Sequence, residues 1–122
     1  MNWITAVDYR GRLGRQAAAR SLRAFGKVAH HSGELVIGAV SDGRPTAPFG
    51  SQGARAAVNA AMEVMLAHAM PLGSAAVDED FDRASRMMRE VLDEVARAVN
   101  REAVNQVASV PMFDATLVAF LA

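Results

Sequence analysis

Two patterns of apolar residues run along the chain, and each predicts a different kind of element. Compact apolar runs at residues 3–7, 35–40 and 115–121 predict three β-strands, because they are short and rich in β-branched, aromatic and leucine side chains. Longer segments with apolar residues three and four positions apart predict helices over residues 51–69 and from about residue 78 to 99. The run at 35–40 contains no polar side chain, so we expect that strand to be buried on both faces.

The two predicted helices have clear boundary signals. Ser51 follows a loop rich in glycine and proline and is a candidate N-cap, while Pro71 lies just past the end of the first helix. Three acidic residues at 78–80 open the second helix, at the positive end of its dipole. We expect the helices to lie antiparallel on one face of a sheet. The second helix has an apolar stripe that predicts a core face, formed by Phe81, Ala84, Met88, Val91, Leu92, Val95 and Val99.

Residues 8–32 show no clear hydrophobic period. The sequence leaves two alternatives for this segment, a short helix over residues 16–25 or an irregular excursion of the chain. This segment is basic, since no acid lies between Tyr9 and Gly33. A basic segment can meet a phosphate group, a nucleic acid or an acidic partner, or it can form a solvated surface. Only Phe25 accompanies the basic residues as an aromatic platform, so the sequence does not favour nucleic acid as a partner.

The overall composition predicts a single globular domain over residues 1–122. Basic and acidic residues are equal in number, 13 of each, so the net charge points to no particular class of partner. The chain has no cysteine, which excludes disulfides and thiolate metal sites. No stretch approaches the roughly 18 apolar residues of a membrane span, and the first residues do not resemble a signal peptide. We therefore expect a cytoplasmic protein that does not enter a membrane.

The candidate chemistry centres on Asp42-Gly43, which follows the predicted strand over residues 35–40. A strand that ends in Asp-Gly holds a carboxylate at the edge of a sheet, and the glycine allows a sharp turn. The Asp42 carboxylate and the Gly43 carbonyl are oxygen ligands of the kind that hard divalent cations prefer. The same dipeptide is also a common turn signal without chemistry.

The order of these elements resembles the N-terminal half of the metal-dependent protein phosphatases, the PPM or type 2C family. Members have a first motif like TDxGxxRxxNED, then AVxDGxGG, a helix of the form GxxAS…A and a strand like TTLLAAL. The stretches that look like these motifs here are residues 7–18, 39–43, 50–58 and 114–121. This resemblance spans almost the whole chain. It implies an α+β fold in which a small β-sheet is covered on one face by two long antiparallel helices, as in half of a PPM phosphatase sandwich.

The first motif departs from the family's pattern. The family's acidic pair aligns with Ala17 and Ala18, and its phosphate-binding arginine aligns with Gly14, so both functions are missing at those positions. Arg12 and Arg15 are candidate replacements for phosphate binding.

Of the family's binuclear metal site, Asp42 and the Gly43 carbonyl remain in this chain. Two divalent cations held a few Å apart need several carboxylates, which offset the repulsion between the ions and help to activate a bridging water. One carboxylate and one carbonyl are too few. We therefore expect neither independent catalysis nor a bound cofactor, and Mg²⁺ or Mn²⁺ is the metal expected if any part of the site survives.

Histidine offers one further ligand set. His30 and His31 are adjacent, so on a strand they point to opposite faces and on a helix they do not share a face. Together with Asp42 they would make an unusual mixed site. His68 falls on the first predicted helix beside apolar residues, and we expect it to be a partly buried helix residue and not a ligand.

Three hypotheses for function follow. The first is a degenerate or truncated PPM-type domain without independent catalysis, a pseudophosphatase that acts through binding or assembly. The second is a fragment of an active metal-dependent serine/threonine phosphatase. The third is an unrelated small α+β interaction domain. The strand at 115–121 carries no charge and no proline, so its edge is unprotected, and we expect a homo-oligomer or a partner protein to cover that strand and the open sheet face.

Overall fold

The computed structural model describes residues 7–8, 21–30, 33–68 and 77–121, with side chains over 37–68 and 81–120. Its strands form one antiparallel sheet in sequential order, so each strand pairs with the next along the chain. Two helices follow the third strand, and a short 3₁₀-helix, Val110–Phe113, precedes the fourth. The strands are β1 (Val7–Asp8), β2 (Ser21–His30), β3 (Gly33–Gly43) and β4 (Ala115–Leu121), and the helices are α1 (Gly50–His68) and α2 (Val77–Asn105).

Strand β2 corrects the sequence prediction for the basic segment. Part of the region proposed as a short helix or an irregular excursion is a strand that pairs with β3 along its whole length, from Ser21 opposite Asp42 to His30 opposite Gly33. The overlooked signal is an alternation of period two over residues 22–28, in which Arg23 and Lys27 occupy alternate positions. Of the strand predicted at residues 3–7, only the last residue lies within the described part, in β1.

Strand β3 is longer than the predicted run and continues through Asp42 and Gly43, so the loop that follows it starts at residue 44. One face of the strand is fully buried, with Ile37 and Ala39 at 0% exposure. On the other face Val40 is half-buried. Gly38 on that face is buried, so the expectation of burial on both faces is confirmed in part for the residues whose side chains the structure describes.

Helix α1 lies across the sheet, with contacts to β2, β3 and β4. Its buried side is formed mainly by alanines, whose short side chains let the helix approach the strands closely. The predicted span, 51–69, is confirmed to within one residue at each end. The core cluster joins both helices to β3 and consists of Ile37, Ala39, Ala54, Val58, Ala61, Met65, Met87 and Val91.

Helix α2 packs against α1, and the two run antiparallel as predicted. His68 at the end of α1 forms an ion pair with Glu90, whereas Arg55 near the start of α1 shares a cleft with Glu102 near the end of α2. Neither helix in the described part of the chain is long and apolar enough to cross a bilayer.

The core-facing side of α2 differs from the predicted stripe. Met87 and Val91 are buried, at 1% and 2% exposure, whereas Leu92 is 66% exposed and Phe81 is 71% exposed. The prediction that Leu92 is a core residue was therefore wrong. Ala84, Met88 and Val95 of the predicted stripe also pack against the core cluster, so the stripe is confirmed at these positions and at Val91.

Candidate functional site

Asp42 lies at the end of the sheet, as predicted from the sequence. It pairs in register with Thr116 of β4, and Gly43 pairs with Ala115. The Asp42 residue is exposed while Gly43 is buried. The neighbouring buried Ser41 hydroxyl donates to the Thr116 carbonyl at 2.5 Å, which ties β3 to β4 just before the Asp-Gly.

Close backbone packing explains the glycines around this site. A Cβ on Gly43 would collide with the backbone of Gly50, and a Cβ on Gly50 would lie 3.0 Å from the Arg44 carbonyl oxygen. The first turn of α1 is therefore held against the end of β3. Ser51 lies within the helix and its hydroxyl donates to the Gln52 side-chain oxygen at 2.9 Å, so it is not the predicted N-cap.

The loop after Asp42-Gly43 is fastened to the segment before β4. The Arg44 N–H donates to the Asp114 carbonyl at 2.8 Å, and the Phe49 N–H donates to the Met112 carbonyl at the same distance. The rings of Phe49 and Phe113 stack with their centroids 5.1 Å apart. These contacts hold residues 44–49 in place between the sheet and α1.

A second carboxylate near Asp42 was missed by the sequence reading. Asp114 directly precedes β4, and it is the diagonal neighbour of Asp42 across the β3–β4 ladder, a relationship that puts Cα atoms about 7–8 Å apart. Its Oδ2 atom lies 2.9 Å from Nη1 of Arg44 in an exposed ion pair. The signal available in the sequence was an acid immediately before the predicted strand at 115–121. Its relation to residue 42 depends on the strand register.

The donor set at this end of the sheet is small. Among the residues whose side chains the structure describes, no group of three or more acidic or histidine residues could hold a metal ion. Asp42 and the Gly43 carbonyl together supply two oxygen ligands, whereas Mg²⁺ requires six in near-ideal octahedral geometry. The described residues therefore do not fit a binuclear metal centre.

The other predicted ligands do not meet at Asp42. His30 pairs with Gly33, while Ser21 at the other end of β2 pairs with Asp42, so the backbones of His30 and Asp42 are about 30 Å apart. The mixed His30–Asp42 site was therefore wrong. His68 is the last residue of α1, and its side chain is 45% exposed. Its Nε2 lies 2.7 Å from Glu90 Oε2.

Several sequence-predicted positions lie outside the described residues. His31 is among them, as are both candidate phosphate-binding residues, Arg12 and Arg15. The same holds for the alanines that align with the family's acidic pair.

The charged side chains of α2 form a separate cluster on its surface. Glu94 accepts from Arg101 Nη2 and from Arg97 Nε, both at 2.9 Å. These hydrogen bonds lower the pKa of Glu94 from its ordinary value of 4.5, and the bond from Arg101 has the largest effect. Glu94 and Arg97 are three residues apart on the helix, so they lie on the same face of α2.

The family assignment rests on a direct comparison. The family model described as Protein phosphatase 2C matches residues 21–122, which is most of the chain. The chain therefore belongs to the protein phosphatase 2C family, and the resemblance seen in the sequence is confirmed. No curated protein and no solved structure matches it.

Proposed function

We propose that this chain is a protein phosphatase 2C domain that does not hydrolyse phosphoesters by itself and that acts by binding another protein. The observation that carries the proposal is the Arg44–Asp114 ion pair beside Asp42. Metal-dependent hydrolysis by this family's route requires a cluster of carboxylates around two cations. Here the second carboxylate at the site is held by a guanidinium.

Electrostatics at the end of the sheet support this proposal. A guanidinium is charged at every physiological pH, so Arg44 sets a permanent positive charge close to where a divalent cation would bind Asp42. The guanidinium and the cation are both positive, so they repel each other at close range even at a surface. The residues after Arg44 also depart from the AVxDGxGG motif, since Pro45 and Thr46 stand where the motif has two glycines.

A phosphatase assay on the purified, folded chain tests the catalytic half of the proposal. With Mn²⁺ or Mg²⁺ and p-nitrophenyl phosphate or a phosphopeptide, we expect no metal-dependent turnover. Asp42→Ala should therefore have no effect, and Asp93→Ala, which removes an exposed carboxylate from α2, provides the matched control. Metal-dependent turnover that is lost in Asp42→Ala and kept in Asp93→Ala would show that the proposal is wrong.

One observation favours a second candidate function. Asp42 is exposed at the end of the sheet and Gly43 is next to it. A metal site that is completed by carboxylates from elsewhere would require this exposure. In this alternative, the two residues supply part of a metal site that further carboxylates complete. Titration of the chain with Mn²⁺ followed by electron paramagnetic resonance separates the candidates, since stoichiometric binding that depends on Asp42 would favour the alternative.

The binding half of the proposal rests on apolar surface that remains exposed. Val118 of β4 is 62% exposed, and Leu92 of α2 is exposed to a similar degree. Val118 lies on the sheet face opposite the core residues Leu117 and Ala119, so Val118 and Leu92 belong to different surfaces. Large exposed apolar surfaces are typical of interaction sites. A second copy of the chain and an unrelated protein are both partners that such a surface could accept.

A further inference from the structure

A groove of about 450 Å³ lies between α2 and β4, and we call it the β4–α2 groove. Its floor consists of buried residues, Gly53, Ala57 and Phe113. Half-buried residues of the two flanking elements, such as Val99 and Leu117, form its sides. The small side chains of the floor leave a space within the range that proteins use for small ligands, about 300–1,000 Å³.

Close packing fixes the floor of the groove. A Cβ on Gly53 would collide with the Phe113 carbonyl oxygen, so α1 and the 3₁₀-helix are in direct backbone contact there. The Phe113 ring stacks on Phe49, with the two centroids 5.1 Å apart. The Phe49 N–H also donates to the Met112 carbonyl at 2.8 Å. The floor is therefore formed without a ligand, and such preorganisation favours affinity because binding does not have to order it.

Two polar residues interrupt the apolar lining, Asn100 and Asp114. Among the described residues of the lining, Asp114 is the only one that carries a charge. Its Oδ2 atom accepts from Arg44 at 2.9 Å, whereas Oδ1 has no partner among the described residues. The carboxylate can therefore accept a further hydrogen bond. A mainly apolar groove with a few polar groups, which fix the orientation of the ligand, is the usual form of a small-molecule site.

We propose that the β4–α2 groove binds a small molecule with an apolar body and one positively charged nitrogen, such as a primary amine. The apolar body lies along Val99 and Leu117, and the ammonium group donates to Asp114. Charge complementarity selects a cation, because the single charge of the described lining repels an anion. This inference goes beyond the proposed function, since it concerns a small molecule and does not depend on the lack of catalysis.

Titration of the whole chain with tryptamine, followed by heteronuclear NMR of the amide signals, tests the proposal. Tryptamine has an apolar indole body and an ammonium group at neutral pH. Tryptophol is the matched control probe, because it has the same body but carries a hydroxyl in place of the ammonium. We expect saturable shifts for tryptamine at the amides of residues 95–100 and 113–117. Tryptophol should bind about tenfold more weakly, because it lacks the charge-assisted hydrogen bond.

Two pairs of variants at exposed positions locate the binding. Asp114→Asn removes the charge and should weaken tryptamine binding about tenfold. Arg44→Gln breaks the same ion pair but keeps the carboxylate, so it should bind tryptamine at least as tightly as the unmodified chain does. Ala96→Phe fills the groove and should weaken binding by at least about tenfold. Ala67→Phe on α1, outside the groove, should leave binding unchanged.

Several outcomes would overturn the proposal. These are shifts that do not saturate, equal binding of the two probes, equal losses in Asp114→Asn and Arg44→Gln, or unchanged binding in Ala96→Phe. Binding of a peptide with a lysine between apolar residues, without binding of tryptamine, would also overturn it and would assign the groove to a partner protein.

Discussion

The guanidinium of Arg44 lies 2.9 Å from the carboxylate of Asp114, and this pair joins the residue that follows Asp42-Gly43 to the residue that precedes β4. The same two residues are also joined through their backbones, by the 2.8 Å hydrogen bond from the Arg44 N–H to the Asp114 carbonyl. The double link extends the β3–β4 ladder by one step past its last paired residues, Gly43 and Ala115.

Removing the arginine should make the end of the sheet more attractive to cations. In Arg44→Gln the Asp114 carboxylate loses its ion pair, so we expect Mn²⁺ binding several-fold tighter than in the unmodified chain, although still weak. Stability should change by no more than about 1 kcal/mol, because the pair is exposed. Mn²⁺ titration by electron paramagnetic resonance measures the effect. Arg55→Gln, at an exposed position on α1, serves as the control, and an equal gain in both variants would contradict the assigned role of Arg44.

The same added charge should destabilise the fold to very different extents at two neighbouring positions on α2. Val91→Asp buries an unpaired carboxylate in the core and should cost about 3 kcal/mol or more, enough to unfold a marginally stable domain. Leu92→Asp changes an exposed side chain and should cost about 1 kcal/mol at most. Urea unfolding followed by circular dichroism compares them. If Leu92→Asp is as damaging as Val91→Asp, the orientation of α2 described above is wrong.

Gly53→Ala should destabilise the chain, although an exchange of glycine for alanine usually stabilises a helix. Alanine in a helix interior is favoured by about 0.5–1 kcal/mol over glycine. At position 53, however, a Cβ would collide with the backbone carbonyl oxygen of Phe113. We expect a net loss of about 1–3 kcal/mol and a lower melting temperature. Ser51→Ala in the same turn is the control, and a rise in melting temperature for Gly53→Ala would contradict the close packing.

The end of α2 contains a residue in an unfavourable backbone conformation. Val107 has φ of 52° and is 94% exposed, at the position after the helix where glycine is usual. The Ala108 N–H bonds to the Ala103 carbonyl and the Val107 N–H to the Val104 carbonyl, which is the Schellman pattern. Because a β-branched residue is strained there, Val107→Gly should stabilise the chain by about 1 kcal/mol.

Thermal unfolding measures this effect. Val104→Gly provides the contrast, since it puts glycine inside the helix and should lower stability by a few tenths of a kcal/mol. Destabilisation by Val107→Gly would show that the left-handed conformation is not strained in this setting.

The arginines around Glu94 predict an acid-dependent loss of stability. Hydrogen bonds from Arg101 and Arg97 lower the pKa of Glu94 in the folded chain below its ordinary value of 4.5. The group therefore contributes stability that is complete above that ordinary value and is lost as the pH falls through the lowered folded pKa. Glu94→Gln should reduce the free energy of unfolding at pH 7 and should approach the unmodified chain near pH 3.

Urea unfolding at the two pH values checks this behaviour. Glu63→Gln on α1 serves as the matched control for loss of an exposed carboxylate. An effect of Glu94→Gln that stays the same from pH 7 to pH 3 would rule out the electrostatic origin.

Local signals predicted most elements of the fold. The strand at 115–121 is confirmed at its predicted ends, and α1 to within one residue, because each is defined by a run or a period within its own sequence. The Asp42-Gly43 prediction also placed the carboxylate correctly at the end of a strand. Strand β2 was missed because its alternation includes alanine and glycine, which bury little surface and give a weak signal.

By itself the sequence determined the family, the order of β3, the two helices and β4, and the identity of the residue at the end of β3, since motifs and hydrophobic periods are properties of short segments. Tertiary structure decided the rest. An apolar stripe sets the width of a helix face, but only packing against α1 selected Val91 over Leu92 for the core. The encounter of Arg44 with Asp114 likewise depends on the pairing of two strands that lie far apart in the chain, and no local pattern encodes that register.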